Sequence, residues 1–319
     1  MVKLVVDKQI IEANSGSSLL DTLLDNGFQV PYSCRAGVCQ SCLVQLTEGS
    51  PPGETQAGLS DSQKSKQLMM SCQCRLHSDM AIQLYDPRAE QQLAQVSSLE
   101  LLSPEVFELS LRCELPFRAG QHITLWRDHQ TARCYSIASL PADGHISVHV
   151  KRHPNGRFSQ WALENLTPGS TIGLTGPSGD CYYHNDAPEQ PLLFAATGTG
   201  IAPLYGIVRD ALSQQHQGEI TILYCGRRAD SLYLKTTLQT LALRHSNITL
   251  KCLAQNNEST ADVNQADAYD HIKNLSENLG HHRIYLCGAP SFVQKMRKQC
   301  FLKGAKPRAV HFDAFEAAQ

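Results

Sequence analysis

The sequence predicts three units in a row: a small mixed α+β unit, a small antiparallel β-barrel and a parallel-sheet α/β unit. Length alone, 319 residues, allows about two domains at ~150 residues each. Two changes of pattern divide the chain more finely. A cysteine-rich segment with its own hairpin and helix ends in a polar stretch at residues 86–95, and short β-like runs follow. From residue 191 apolar strands alternate with helical stripes, which implies a parallel sheet covered on both faces.

In the first unit, residues 2–6 and 9–13 read as a hairpin. Ser17 and Ser18 precede a helical stripe of Leu19, Leu20, Leu23 and Leu24, which Asn26-Gly27 ends. A closing strand is expected over 81–85. Between them Cys34, Cys39 and Cys42 read C-x4-C-x2-C, and Cys72 follows. That is the plant-type spacing of a [2Fe-2S] cluster. Three thiolates on one tight loop must converge on two adjacent irons, and Gly37 permits the close backbone approach. A zinc site would ordinarily show two short C-x2-C pairs or Cys and His pairs. Here the second half offers only Cys72-x-Cys74. A disulfide framework conflicts with the absence of a secretory signal, because residues 1–11 alternate like a strand and no small-residue cleavage site follows.

Residues 86–95 read as a linker. In the second unit the runs at 96–114, 117–125 and 146–150 have the spacing of a small antiparallel barrel. Two local motifs stand out. In Arg133-Cys134-Tyr135-Ser136, an extended backbone points Arg133 and Tyr135 one way and Ser136 the other. A cation, an aromatic plate and a hydroxyl thus lie within four residues. Gly156-Arg157-Phe158-Ser159 is read as opening a helix whose N–H groups suit an anion. Either motif alone also fits an ordinary exposed strand or turn.

In the third unit, residues 192–196 form a buried-strand run. Thr197-Gly198-Thr199-Gly200 follows, then a helical stripe through Leu212. Glycines between a strand and a helix let a pyrophosphate approach the helix N–H groups, although the third glycine of the six-residue dinucleotide fingerprint is missing. Further strands are expected at 220–225, 248–253 and 283–287, with a polar surface excursion at 256–270. Arg227 and Arg228 follow the second strand, where an acidic residue would favour a free ribose 2′-hydroxyl. Two arginines could instead pair with a phosphate.

Composition excludes several classes. Lys plus Arg is 28 and Asp plus Glu is 30, a net charge of −2, which argues against nucleic-acid binding by bulk electrostatics. The chain is 42% hydrophobic and 18% charged, as in ordinary globular proteins. The uncharged stretch 191–208 is broken by Pro and Gly and does not read as a membrane span. The expected location is the cytoplasm.

The segment Pro31-Tyr32-Ser33-Cys34-Arg35-Ala36-Gly37-Val38-Cys39-Gln40-Ser41-Cys42 resembles the plant-type ferredoxin family, and Ser78-Asp79 lies where that family often has Ser-Asp after its fourth ligand. The resemblance implies a β-grasp-type fold with Cys34, Cys39, Cys42 and Cys72 as ligands and Cys74 spared. Gln40 departs from the family's glycine. The two downstream units, in this order, resemble the ferredoxin–NADP reductase superfamily. That resemblance implies a six-stranded antiparallel FAD barrel over 95–186 and an NAD(P)H-binding α/β domain over 189–319, after a ferredoxin domain over 1–86. It implies that Arg133 pairs with the flavin pyrophosphate, Tyr135 stacks on the isoalloxazine and Ser136 bonds near its N5. Gly156 and Ser159 would hold the pyrophosphate, and His149 and Lys151 would line the adenosine side.

By the same resemblance, Thr197, Gly198, Thr199 and Gly200 form the pyridine-nucleotide loop. Cys287-Gly288-Ala289-Pro290 matches the family's Cys-Gly-x-Pro, with Cys287 beside the nicotinamide. Phe315 and the acidic Asp313 would lie against the flavin. The whole chain resembles reductase components of bacterial multicomponent oxygenases and the iron–sulfur flavoprotein reductase of 3,6-dideoxyhexose synthesis. The implied activity is electron transfer from NADH, with appreciable NADPH use, through FAD and a [2Fe-2S] cluster to a protein acceptor, expected to be an oxygenase component or, alternatively, a deoxysugar dehydratase, in a monomer. An alternative class is a redox-sensing iron–sulfur flavoprotein with little turnover.

Overall fold

A computed structural model describes residues 1–319 except 33, 87–90, 129–130, 257–261, 276–277 and 316–319. The first unit is a five-stranded mixed sheet. Its strands are β1 (Val2–Val6), β2 (Gln9–Ala13), β3 (Leu43–Leu46), β4 (Leu68–Met70) and β5 (Met80–Leu84), in the order β2-β1-β5-β3-β4. Only β1 and β5 are parallel. Helix α1 (Leu19–Asp25) lies on the sheet, capped by the Ser18 side chain, and buries Leu19, Leu20 and Leu23 against Leu4, Val6 and Val44. Helix α2 (Asp61–Ser65) is a short turn closed by a Ser60–Gln63 capping box.

The second unit contains β6 (Gln92–Ser103), β7 (Val106–Arg112), β8 (His122–Trp126), β9 (Ala132–Ser136), β10 (Ile146–Lys151), helix α3 (Ser159–Asn165) and β11 (Thr171–Ser178). All pairings are antiparallel, in the order β10-β7-β6-β11-β8-β9. An Ile137–Val148 bridge brings the two ends of the sheet together. The expected linker is shorter than the sequence suggested. Residues 92–95 already belong to β6, because Ala94 and Val96 alternate into the barrel core while Leu93 and Gln95 face out. The several short runs expected at 96–114 are one long bulged hairpin, β6–β7.

The third unit is a six-stranded parallel sheet in the order β15-β14-β13-β12-β16-β17. Its elements are β12 (Leu192–Thr197), α4 (Ile201–Ser213), β13 (Ile220–Gly226), α5 (Lys235–Arg244), β14 (Ile248–Ala254), β15 (Asn264–Gln265), α6 (Ala268–Lys273), β16 (Arg283–Gly288), α7 (Pro290–Leu302) and β17 (Val310–Ala314). Two cores cover its faces, one containing Phe194, Leu204 and Tyr224, the other Leu193, Ile284 and Met296. The stretch 256–270 is not wholly a surface excursion. Its described part carries the edge strand β15 and the start of α6, which buries Ala268 and Ile272. Five stacked groups, Tyr182, His184, His311, Tyr285 and Phe194, run from the segment after β11 into this sheet, with Arg118 over the outermost ring. No helix among the described residues is long and apolar enough to cross a membrane.

Candidate functional site

The four predicted thiols meet in two pairs. Cys34 and Cys39 are within hydrogen-bonding reach of one another, as are Cys42 and Cys72. The bond to Cys39 and burial push the Cys34 thiol up, while the same bond pulls Cys39 down. The bond from Cys42 draws the Cys72 thiol down to about 7, assisted by Gln73 and the Gly37 N–H. Backbone N–H groups already aim at sulfur: Ala36 and Cys39 donate to the Cys34 Sγ at 3.4 and 3.3 Å, and Cys34 donates to the Cys39 Sγ at 3.5 Å. The Ser41 hydroxyl and the Gln73 amide donate to Cys39 and Cys72 at 3.2 and 3.3 Å. Two pairs of thiols suit two irons, and the N–H groups suit the charge of a bound thiolate cluster. Cys74 packs in the apolar core, where burial raises it to about 11.

Gln40 has a left-handed backbone, φ 54°, the conformation that glycine adopts at least cost. Its side chain leaves the thiols, donating to the Gly58 carbonyl and accepting from Gln63 at the start of α2. Gly37, at φ 75°, is needed for space as well, since a Cβ there would lie 2.9 Å from Gln73.

On the barrel, Arg133 is partly buried and no carboxylate pairs with it among the described residues. Burial, and the nearby Arg157, lower its pKa. Two unneutralised guanidinium groups fit a pyrophosphate. Tyr135 packs against Phe158, ring centroids 5.4 Å apart. Ser136 projects from the opposite face, and its hydroxyl donates to the Asp313 carboxylate at 2.5 Å. Burial raises the Asp313 carboxyl. The Gly156 N–H is taken by the His153 carbonyl, and Ser159 Oγ accepts from the His153 N–H, so this turn is closed on itself and α3 has only seven residues. His149 is buried. Its Nδ1 meets the Tyr233 hydroxyl at 2.9 Å and its Nε2 meets Glu108 at 3.4 Å, joining the barrel to the nucleotide unit. Lys151 is exposed beside Glu105.

In the parallel sheet, β12 has β13 on one side and β16 on the other, so the connections leaving β12 and β16 diverge in opposite directions from their carboxyl ends. A crevice at such a point is the usual ligand site of a parallel sheet. Thr197, Gly198, Thr199 and Gly200 form the turn there, leading into α4. A Cβ on Gly200 would lie 2.5 Å from the Cys287 carbonyl, and one on Gly288 would lie 2.4 Å from the Thr197 hydroxyl. The two loops interlock through glycine on each side. Cys287 is fully buried and registers with Asp313 across β16–β17. Phe315 donates its N–H to the Gly288 carbonyl. Arg227 and Arg228 are exposed after β13, but Arg228 is clamped by Asp230 through two bonds of 3.1 and 2.5 Å.

Sequence reasoning did not find the contacts between the first unit and the barrel. His122 Nε2 lies 3.1 Å from the Val38 carbonyl, and the Thr124 hydroxyl donates to the Cys39 carbonyl at 3.0 Å. Both side chains leave the same face of β8. No local pattern marks them, because their partners are more than 80 positions away.

Comparison with known proteins agrees with this arrangement. A 2Fe-2S iron-sulfur cluster binding domain matches residues 4–77, an oxidoreductase FAD-binding domain 94–183 and an oxidoreductase NAD-binding domain 194–298. Terephthalate 1,2-dioxygenase reductase component 1 of Comamonas is 30% identical, covering 94% of this chain and 92% of the relative. The ferredoxin–NAD(P)+ reductase component of the naphthalene 1,2-dioxygenase system of Pseudomonas putida is 29% identical over 97% and 96%. The CDP-6-deoxy-L-threo-D-glycero-4-hexulose-3-dehydrase reductase of Yersinia pestis is 26% identical over 98% of both. Among solved structures, the cytochrome P450 reductase of Amycolatopsis superposes with a TM-score of 0.68 at 25% identity, covering both chains completely. With the cluster loop, the flavin-binding barrel and the coenzyme crevice on one polypeptide, the chain belongs to the NAD(P)H-dependent iron–sulfur flavoprotein reductases.

Proposed function

We propose that this protein takes hydride from NAD(P)H onto FAD and delivers the electrons singly, through its [2Fe-2S] cluster, to an oxygenase component. One observation carries the reading. The cluster loop touches β8 at Thr124, Ser136 on the neighbouring β9 touches Asp313, and Asp313 registers with Cys287 at the coenzyme crevice. All three binding units therefore meet in one place. Bound flavin supplies the conversion between two-electron and one-electron chemistry.

The residues divide the work. Cys34, Cys39, Cys42 and Cys72 hold the cluster. Arg133 neutralises the flavin pyrophosphate, Tyr135 offers its ring as a platform, and Ser136 with Asp313 holds a proton position beside it. Gly156 and Ser159 flank the flavin pyrophosphate, and His149 and Lys151 border the adenosine end. Thr197, Gly198, Thr199 and Gly200 admit the coenzyme pyrophosphate to the start of α4. Cys287, Gly288 and Phe315 wall the nicotinamide. Arg227 is left to meet the coenzyme ribose while Asp230 restrains Arg228, which supports NADH as the main donor with NADPH also used.

The named relatives support an oxygenase acceptor. Energetics agree. Plant-type clusters lie near ~−400 mV and Rieske centres no lower than about −150 mV. At ~59 mV per decade that drop exceeds about four decades. The Yersinia relative supports a second reading, service to a deoxysugar dehydratase. The twelve free cysteines support a reducing, cytoplasmic location. With all three sites on one chain, the monomer is the working unit. The test is NADH oxidation by the FAD- and cluster-loaded protein, with ferricyanide or cytochrome c as acceptor. Cys72→Ser should spare ferricyanide reduction and sharply lower cytochrome c reduction. Collapse of both, with FAD still bound, overturns the series order.

A further inference from the structure

The two-stranded ribbon β8–β9 has chemistry at both ends of one face. In its register His122 stands opposite Ser136 and Thr124 opposite Cys134. Directly opposed residues of an antiparallel pair project to the same side, so these four side chains share a face. Ser136 holds Asp313 there. His122 sits between the Val38 carbonyl, at 3.1 Å, and the Ser178 hydroxyl, at 2.9 Å. Thr124 holds the carbonyl of Cys39, itself one of the four thiol residues, at 3.0 Å. Both His122 and Thr124 are nearly inaccessible to solvent, at 6% and 3% exposure. Desolvated polar groups that meet across a domain boundary are costly to leave unpaired, so these bonds select one docked arrangement.

We infer that His122 and Thr124 are positioning residues that dock the cluster loop on the flavin ribbon, and that the face they share with Ser136 and Cys134 is the route by which electrons leave the flavin. This rests on the electron-transfer function proposed above. In the step itself the reduced flavin loses one electron and one ferric iron of the cluster gains it. No bond between heavy atoms forms or breaks, and the proton that the flavin sheds passes to solvent. NAD(P)H supplies two such electrons per hydride. The face is continuous: Ser136 stands opposite His122, Thr124 follows two residues along β8, and its hydroxyl bonds the Cys39 carbonyl.

The ribbon also explains why the loop presents carbonyls rather than side chains to the barrel. The loop's N–H groups at Cys34, Ala36 and Cys39 are turned inward to sulfur. Its carbonyls at Val38 and Cys39 are therefore free to face outward and accept. One loop conformation thus serves the cluster with its donors and the flavin barrel with its acceptors.

The experiment uses the full-length protein loaded with FAD and cluster. Thr124→Val keeps shape and removes the donor, Thr124→Ser restores it, and His122→Leu tests the second contact separately. Single-turnover stopped flow with NADH should give wild-type flavin reduction in the Thr124 variants; in His122→Leu, whose ring also lies near Asp313, transfer to the cluster is read against that variant's own flavin reduction. Flavin-to-cluster transfer should slow by up to about fivefold in Thr124→Val, the population effect of losing a bond worth ~1 kcal/mol. Thr124→Ser should recover it. Independently of turnover, amide hydrogen exchange over 34–42 should rise in Thr124→Val while the paramagnetic resonance signal of the reduced cluster is unchanged. Equal transfer rates in wild type, Thr124→Val and His122→Leu overturn the inference, as does a parallel fall in flavin reduction. If Thr124→Val does not retain its cluster, His122→Leu alone decides by the same criteria. A wild type that fails to reduce its flavin with NADH refutes the proposed function instead.

Discussion

Replacing Ser136 with Ala removes the hydroxyl that donates to Asp313 at 2.5 Å. Burial already raises that carboxyl above its usual range, opposed by nearby His122 and by the Ser136 bond. A carboxyl whose folded pKa exceeds its unfolded value stabilises the fold below the unfolded value of 3.8, and that contribution is lost as pH rises through the folded value. Deleting a donor that favours the carboxylate raises the folded pKa further. The variant is therefore penalised most at alkaline pH and least in acid. A hydrogen bond to an ionised group is worth ~1.5–3 kcal/mol. At ~2–4 °C per kcal/mol for a module of about 200 residues, the Tm of Ser136→Ala should fall by about 3–12 °C at pH 8. The gap should narrow steadily as pH falls toward 4. Stopped-flow reduction of bound FAD by saturating NADH should slow by about tenfold to a hundredfold, the same energy expressed in the transition state. FAD affinity should change less. A Tm difference that ignores pH, together with an unchanged rate of flavin reduction, would refute the reasoning.

Four further outcomes are expected. Cys72→Ser should abolish the reduced cluster's paramagnetic resonance signal, whereas Cys74→Ser, which alters only a core thiol, should keep it. Asp230→Ala releases Arg228 from its clamp and should raise the NADPH/NADH ratio of kcat/KM by about tenfold, a charge-assisted bond gained, while Arg227→Ala should lower it. Gly200→Ala drives a Cβ into the Cys287 backbone and should cost ~1–3 kcal/mol by overpacking, with a raised KM for NADH. His149→Leu strands the Tyr233 hydroxyl and Glu108 between two domains and should lower stability by ~1–3 kcal/mol in a melting experiment.

Much of this was legible in the sequence because it is local. Cysteine spacing, strand alternation and glycine turns are written within a few residues, and they predicted the hairpin, the cluster loop and the strand–helix alternation. Gln40 shows the limit of a motif. It departs from the family's glycine in sequence, yet the backbone keeps the glycine-like conformation and turns the amide toward α2. His149 was read with the adenosine side from its place on the strand, and that reading gave no hint that both its ring nitrogens meet protein groups. Its partner Tyr233 lies 84 positions away. Thr124 and His122 carry no local signature either, because an isolated Thr or His on a strand looks the same whether it faces water or another domain. Such pairings are set by how domains dock, which one-dimensional patterns do not encode.

The bond between Ser136 and Asp313 spans 177 positions, and that has a consequence for biosynthesis. The ferredoxin-like unit draws its core from residues 4–85, so it can fold while the rest of the chain is still being made. The flavin pocket cannot close until β17, emerging late from the ribosome, has paired with β16. The cluster loop is therefore ready for loading before the flavin site is, and a chain stalled before residue 310 should yield iron–sulfur protein without a finished flavin site.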